Sequence, residues 1–309
     1  MQKSKLTDPL LRVRAEPPDR PNYALGVMLD EQDFIEEQTY HRGRLARALA
    51  ALNGPGTVAG LRVEYVPAVA ESAPGAGDGR PPELRVQPGL AIDAYGRLIE
   101  LTRAVCIDLD RWFGPADLPA SPDEETVERV AALRAAFKPG TGTLIADVFV
   151  RFLPCGRALT PAFARGGAEA LDALVYERIR DAAEVRLVPR SEDAPSAPVD
   201  PWGTLPGSSV GERLSALRDA LLDSSHWNRI ARPEAPQEVP AELLAEPAPG
   251  LPSGFDPRSQ WVFLARVSFE VTAPTGTGAP RPTATPPVPD NQIRRIVVPP
   301  SALVALLAE

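Results

Sequence analysis

Ser209 is the residue whose sequence context most resembles a catalytic motif. It lies in residues 207–211, GSSVG, which fit the G-x-S-x-G pattern of hydrolase nucleophile elbows. Such an elbow directly follows a strand, but residues 201–206 contain two prolines and a glycine. The candidate acid and base downstream, Asp219 and His226, fall on or just beyond one short helix. Because Ser209 also precedes Glu212 at capping-box spacing, we predict a helix cap and not a nucleophile.

Asp33, Glu37 and His41 recur every four residues, so on a helix they share a face that could hold a divalent cation. The acids also suit the start of a helix, where the dipole favours anions. Two histidines and two cysteines exclude a histidine-rich or four-cysteine zinc site. We predict no metal site, no catalytic residue, and a structural role for Cys155.

Three glycines, Gly54, Gly56 and Gly60, superficially resemble a dinucleotide-binding loop. The true fingerprint follows a strand and opens a helix. Here the glycines follow a predicted helix and open a predicted strand. Since the order is reversed, we predict no cofactor.

Tryptophans offer a second route to function, because aromatic rings provide flat contact surfaces for a ligand or a partner. Trp202 and Trp227 lie in poorly apolar contexts, which favours contact with a partner over core packing. With Asp200, Asp219 or Asp223 they could line a glycan cleft, with two carboxylates roughly 5 to 9.5 Å apart for hydrolysis. An envelope-acting carbohydrate-binding or glycoside-hydrolase module is therefore the alternative to a structural role.

The elements that would position these residues begin with one charged helix. Asp30 suits the N-cap, acids crowd the first turns, and arginines occupy the later turns. A stripe at helical spacing, apolar except at its middle, runs through Phe34, Gln38, His41, Leu45, Ala48, Leu49 and Leu52. Gly54-Pro55-Gly56 ends the helix. A strand is predicted at 57–66, with Gly60 marking a bulge or a close backbone approach, and a hairpin at 84–107, with Pro88-Gly89 as a bulge at an edge.

Further elements follow from periodicity and capping signals. Ser121 is expected to cap a helix at 121–137. The run at 144–152 predicts a central strand, and 177–188 predicts a short helical or irregular piece turning into a strand. We also predict a helix at 212–222, strands at 260–271 and 293–298, and a terminal helix at 300–307.

This pattern predicts an α+β fold: an N-terminal amphipathic helix followed by β-hairpins, an antiparallel sheet core, short helices and long proline-rich connections. The 36 prolines cluster in segments that cannot form regular helix or central strand, and these are either linkers or arms lying on neighbouring subunits. The predicted segments are an extended arm (1–23), a helix and hairpin module (24–110), a helix and strand module completing the core (111–190), a proline-rich insertion with a short helix (191–258), and C-terminal strands with a terminal helix (259–309).

Composition limits the possible partners. A formal net charge of −8 argues against an extended nucleic-acid surface. No apolar run approaches the roughly 20 residues of a membrane span, and the N-terminus lacks the apolar region of a secretory signal. We expect synthesis in a bacterial-type cytoplasm and assembly into a particle that is then released.

Several blocks resemble uncharacterised structural proteins of phage-tail-like contractile injection systems. Residues 56–63, GTVAGLRV, fit G-x-V-x-G-L-x-V, and residues 88–99, PGLAIDAYGRLI, fit P-G-x-A-I-D-x-x-G-R-x-I. The stretches LIADVFVRF, ERIRDAAEVRLVP and DNQIRRIVVP are also similar, so the resemblance covers roughly half the chain in scattered blocks. The proline-rich insertions at 195–206 and 233–257 depart from it. The resemblance implies a structural role without a cofactor or catalytic residues.

The expected function is thus that of a non-enzymatic assembly component, baseplate-peripheral or fibre-anchoring, with other subunits of the particle as partners in multiple copies. Residues 9–21 or 290–298 are expected to order only in the complex, by arm docking or edge pairing. The candidate interaction residues are Trp202, Trp227, Asp290, Asn291, Arg294 and Arg295.

Overall fold

The computed structural model describes residues 20–70, 79–161, 174–192, 195–198, 206–223, 239–240, 243, 256–274 and 276–298. Helices and antiparallel sheets are both present, so the predicted α+β class is confirmed. The predicted arm before residue 20, the terminal helix at 300–307, and Asp200, Trp202 and Trp227 lie outside the described residues.

Helix α1 spans Glu31–Leu52 and begins as its sequence predicts. The Asp30 carboxylate accepts hydrogen bonds from the backbone N–H groups of Gln32 at 2.9 Å and Asp33 at 3.2 Å. The Asp30 N–H in turn donates to the Asp33 carboxylate. Gly54, with a φ of +65°, ends the helix. Both the predicted cap and the predicted terminator are confirmed.

Six short strands follow in two three-stranded antiparallel sheets. One sheet holds β1 (Gly56–Gly60), β4 (Gly89–Ile92) and β5 (Leu98–Leu101), and the other holds β2 (Val63–Val66), β3 (Glu83–Val86) and β6 (Val105–Asp108). The strand pairing continues in the same register from one sheet to the other: Gly60 pairs with Gly89 in the first sheet, and Val63 pairs with Val86 in the second. The chain therefore makes a three-stranded meander whose long strands bend as they pass from one sheet to the other.

Glycine permits the bend. A Cβ on Gly60 would lie 2.2 Å from the Pro88 carbonyl oxygen, which confirms the close approach predicted there. The prediction that Pro88-Gly89 is an edge bulge was wrong, because this pair lies in the middle strand of the meander. Pro88 is tolerated there since the ladder is interrupted at the bend, where its carbonyl accepts from the Leu61 N–H at 3.2 Å.

The larger sheet is built on β8 (Thr143–Pro161), which pairs with β9 (Leu174–Arg190) and β10 (Trp261–Thr272). Short strands complete it: β7 (Phe137–Lys138), β11 (Arg281–Pro282) and β12 (Val288–Asp290). The predicted central strand at 144–152 and the predicted strand at 260–271 are confirmed. Residues 177–188 are strand throughout, so the helical or irregular start predicted for them was wrong.

Three further helices are described: α2 (Leu109–Phe113), α3 (Glu124–Ala136) and α4 (Val210–Leu222). Asp123, and not the predicted Ser121, caps α3, because its carboxylate reaches the Thr126 N–H at 2.7 Å. The bond also holds the pKa of Asp123 below its usual range. The helix predicted at 212–222 is confirmed.

One apolar cluster joins the meander, α2, α3 and one face of the larger sheet. Trp112 fixes the packing, since its indole N–H donates to the Leu187 carbonyl at 2.9 Å and its ring stacks on Phe269. The main buried members are Leu61, Val63, Leu84, Ile99, Phe113, Leu133, Leu144, Val148, Val150, Leu264 and Phe269. The predicted segments 24–110, 111–190 and 259–309 thus all contribute to this cluster. A second, smaller cluster lies on the other face of the larger sheet and consists of Phe149, Val188, Val239, Leu243, Trp261 and Phe263.

Candidate interaction surface

Residues 290–298, the C-terminal segment that was expected to become ordered only on a neighbouring subunit, bind to their own chain. Asn291 mimics a strand residue: the Val63 N–H donates to Oδ1 at 2.9 Å, and Nδ2 donates to the Val63 carbonyl at 3.0 Å. Arg294 is buried and donates to the Leu61 carbonyl at 2.8 Å. Burial, together with the nearby Arg62 charge, lowers the pKa of Arg294 to about 10.

The rest of this segment also bonds within the chain. Thr57 donates its N–H to the Arg295 carbonyl at 2.9 Å and accepts from the Val297 N–H at 2.8 Å. Residues 293–298 contribute an isolated bridge between Thr57 and Ile296, so the strand predicted there was wrong. Asp290 belongs to β12 and pairs with Arg266. Of the six candidate interaction residues, these four therefore lie against their own chain, and Trp202 and Trp227 fall outside the described residues.

Ser209 acts as the predicted cap of α4. Its hydroxyl accepts from the Glu212 N–H at 3.2 Å, and Glu212 accepts in return from the Ser209 N–H at 3.1 Å and the Ser208 N–H at 2.7 Å. These bonds, first among them the one from the Ser208 hydroxyl, hold the pKa of Glu212 below its usual range. The capping-box prediction is confirmed, and the Ser209 hydroxyl is held against the start of the helix.

The glycan cleft stays a prediction, because Asp200, Trp202 and Trp227 lie outside the described residues. Asp219 and Asp223 are exposed and lie one turn apart on α4. Trp261 is buried beside Phe149, and Trp112 belongs to the main core. These two rings therefore stabilise the fold and do not line an exposed groove.

The acidic start of α1 also has local partners. Asp33 completes the cap of α1, and Glu37 accepts a hydrogen bond from the Tyr23 hydroxyl, which raises the pKa of Tyr23. His41 is exposed and packs edge-on against Tyr40. Within the described part of the chain, no group of three or more histidine, cysteine or acidic side chains converges as metal ligands would.

Paired charges flank a buried aromatic cluster of Phe149, Trp261 and Phe263 on the second face of the larger sheet. Arg266 donates to both Asp147 oxygens, at 2.8 and 3.0 Å, and Arg190 lies 3.5 Å from the same carboxylate. Glu184 accepts from Arg151 and Arg186, each at 2.6 Å. Burial alone would raise the pKa of Glu184, but the two arginines outweigh it and hold that pKa below its usual range. Because these charges are paired with each other, they stabilise the sheet and offer no poised acid or base.

A small crevice lies where this face meets the C-terminal segment. It is lined by Trp261, Phe263 and Arg295, among others, and has a volume of about 10 Å³. That is room for about one water molecule. The crevice does not suit a sugar or a nucleotide.

The most exposed part of the larger sheet is a two-stranded ribbon. Strand β10 pairs with β8 only as far as Arg151, whereas β8 and β9 stay paired to the end of β8, Pro161 opposite Leu174. We call residues 154–161 and 174–181 the ribbon; at about 3.3 Å per residue it is roughly 25 Å long. Arg42 of α1 reaches its base, 3.9 Å from Asp181.

The side chains of the ribbon show how it is stiffened and what it presents. The Tyr176 ring lies over Gly156, where an added Cβ would come within 2.3 Å of it. Leu159 and Ile179 are each more than half exposed. Four of the five residues at 177–181 on the outer strand are charged: Glu177, Arg178, Arg180 and Asp181. Among the described strands, β9 has no partner other than β8, so its outer edge presents unpaired backbone groups.

Sequence reasoning missed this ribbon. A half-buried strand shows alternation of polar and apolar residues, but both faces of the ribbon are solvent-exposed, so residues 177–181 show none. A usable signal was the run at 174–188, which is rich in charged and β-branched residues and contains neither proline nor glycine.

No protein-family model matches this chain, and no curated protein matches it. None of the helices in the described ranges combines the length and the apolar character needed to cross a membrane.

Proposed function

We propose that this protein is a non-enzymatic structural component of a phage-tail-like contractile injection particle, in a baseplate-peripheral or fibre-anchoring position. It acts by docking an arm and strand edges on neighbouring subunits. The observation that carries the proposal is the ribbon, which extends beyond the pairing of β8 with β10 and exposes Leu159 and Ile179.

A two-stranded ribbon has low stability on its own. It buries little apolar surface, and isolated hairpins are at best marginally stable in water. Its edge can accept a further strand, a mode in which main-chain bonds supply affinity and side-chain pockets supply specificity. The charges on residues 177–181 discourage indiscriminate pairing, so the edge suits a partner with complementary charges.

The proposed docking element differs from the arms expected from the sequence. Residues 290–298 form hydrogen bonds with β1 and β2 of the same chain, so they stabilise the fold of this chain. Among the described strands β9 pairs only with β8, so in this proposal the ribbon takes over the docking role expected of residues 290–298.

The class of particle rests on the resemblance of residues 56–63 and 88–99 to contractile-injection proteins. In the fold, these two blocks lie side by side, with β1 paired to β4. One glycine from each block, Gly60 and Gly89, allows the backbones of these two strands to approach closely at the bend of the meander.

Co-purification from the native host tests the proposal. A tag is placed after Glu309, high-mass particles are isolated, and co-purifying proteins are identified by mass spectrometry. We expect sheath and tube proteins to travel with the wild-type chain, and Ile179→Asp in the ribbon to reduce recovery at least about tenfold. The matched control is Val127→Asp on α3, which is exposed at 41% and should leave recovery unchanged.

Recovery of a lone, monodisperse chain, without sheath or tube proteins, would contradict the proposed function. Equal recovery of the Ile179→Asp variant with the particle would contradict the role of the ribbon while leaving the assembly role intact.

A further inference from the structure

Helix α1 attaches to the protein through its small residues. The turn at Gly96 lies directly against it: an added Cβ would be 1.7 Å from the Ala46 carbonyl oxygen and 2.9 Å from the Ala50 nitrogen. Gly43 falls on the same side of the helix, one turn earlier. None of the 22 residues of α1 is buried.

The apolar stripe of α1 lies on the opposite side and faces solvent. Phe34, Leu45 and Leu52 have exposed fractions of 50%, 54% and 82%. We call residues 34, 38, 41, 45, 48 and 52 the seam; their spacing alternates between four and three residues, which is the a/d pattern of a coiled coil. The exposed segment before the helix extends this apolar surface through Leu25, Val27 and Met28.

The charges of α1 point to what covers the seam. Its first half carries Glu31, Asp33, Glu36 and Glu37, and its second half carries Arg42, Arg44 and Arg47. A parallel pair of such helices would place like charges together, whereas an antiparallel pair places each acidic half beside a basic half. The helix is thus complementary to a second copy of itself.

We propose that two copies of this chain associate through an antiparallel pairing of their α1 seams. In two alignments of the antiparallel helices, seam residues of one copy lie opposite seam residues of the other. One, with Phe34 against Leu52 of the second copy, would bring Arg42 and Arg44 of both copies together at the two-fold axis. The other places Phe34 against Leu45 and Gln38 against His41, with Glu37 beside Arg44 of the second copy. Charge favours the second register, and its polar central layers fix the alignment.

The arrangement is sterically simple. Because the body of each protein contacts the side of α1 opposite the seam, the two bodies lie on opposite sides of the helix pair. Leu52, beyond the paired layers, then faces the apolar segment that precedes α1 in the second copy. This surface is separate from the ribbon, and its test does not depend on any particle.

Sedimentation velocity of the purified full chain, at roughly 1 to 200 μM, tests the proposal. We expect a concentration-dependent dimer. Leu45→Glu places two charges in the seam and should weaken association at least about 100-fold. Val127→Glu, at an exposed helical position outside the seam, should leave association unchanged.

Charge reversal tests the orientation. Glu37→Arg and Arg44→Glu each create like-charge contacts and should weaken self-association about tenfold. Mixing the two single variants restores both opposite-charge contacts, so the mixture should associate at least as tightly as the wild type. A wild-type chain that stays monomeric throughout, or a dimer indifferent to Leu45→Glu, would overturn the proposal. Failure of the mixture to recover would overturn the antiparallel register.

Discussion

Asp147 is the residue at which charges from two neighbouring strands converge. Its carboxylate is 1% exposed and contacts Arg266 of β10 and Arg190 of β9, so it ties the two partners of β8 to the centre of the sheet. The desolvation of such a carboxylate is offset only while its cations remain in place.

We expect Asp147→Asn to lower the free energy of unfolding by about 3 kcal/mol, because it leaves two arginine charges short of their partner in a largely dry site. Arg190 keeps Glu192 at 3.0 Å, which limits the loss. Urea unfolding measures the effect. Glu125→Gln, which disrupts an ion pair whose carboxylate is 86% exposed, should change stability by less than about 0.5 kcal/mol. Equal effects of the two variants would contradict the importance assigned to Asp147.

Because of Glu184, the stability of the sheet depends on pH in the acidic range. The pKa of its carboxyl in the folded protein lies below the ordinary value of 4.5. The unfolded chain therefore binds a proton first as pH falls, and stability present above pH 4.5 is lost as pH drops through the folded pKa. Glu184→Gln should flatten the fall in unfolding free energy between about pH 5 and pH 3. A fall as steep as in the wild type would contradict the charge pairing described for Glu184.

At the scale of the elements, α1 rests on a contact that only glycine allows. Gly96 has a φ of +81°, and the helix backbone occupies the space a side chain would need. We expect Gly96→Ala to cost at least about 2 kcal/mol and to loosen α1, seen as faster amide exchange in its second half. Gly140→Ala, where a Cβ meets open space, serves as the control and should change stability by less than about 1 kcal/mol. Equal losses of stability in Gly96→Ala and Gly140→Ala would contradict the close contact between Gly96 and α1.

Elements with local determinants were predictable from the sequence. The Asp30 and Ser209 caps, the Gly54 terminator and the close approach at Gly60 depend on residues a few positions apart. The central strand in β8 was predictable because residues 144–152 are mostly apolar and β-branched or aromatic, with only Asp147 and Arg151 charged.

Elements set by distant partners were not predictable. The middle position of Pro88 depends on β1 and β5 flanking it, and the docking of Asn291 depends on a strand 228 residues away in sequence. The candidates at 290–295 belong to a segment that was expected to order only on a neighbouring subunit, yet Asn291 and Arg294 bond to backbone groups of Val63 and Leu61 in the same chain. Sequence reasoning also identified the stripe on α1 but not that it faces outward.

The whole molecule combines one shared core with two surfaces that the core does not use. Residues from the meander, α2, α3 and the larger sheet share the main hydrophobic cluster, and a smaller cluster around Phe149 and Trp261 lies on the other face of that sheet. The ribbon and the α1 seam remain exposed. A chain built in this way is suited to contact several neighbours at once, as a subunit of a large assembly does. Its net charge of −8 favours solubility of the free subunit before docking.

Hydrogen exchange of the chain, free and within isolated particles, tests the central claim most directly. We expect the backbone amides of residues 174–181 to become at least about tenfold more protected in the particle, because the outer edge of β9 gains hydrogen-bonding partners. Residues 144–150, already paired on both sides, provide the internal reference. Unchanged exchange across the ribbon in a particle that contains the chain would contradict the claim that the ribbon is the docking element.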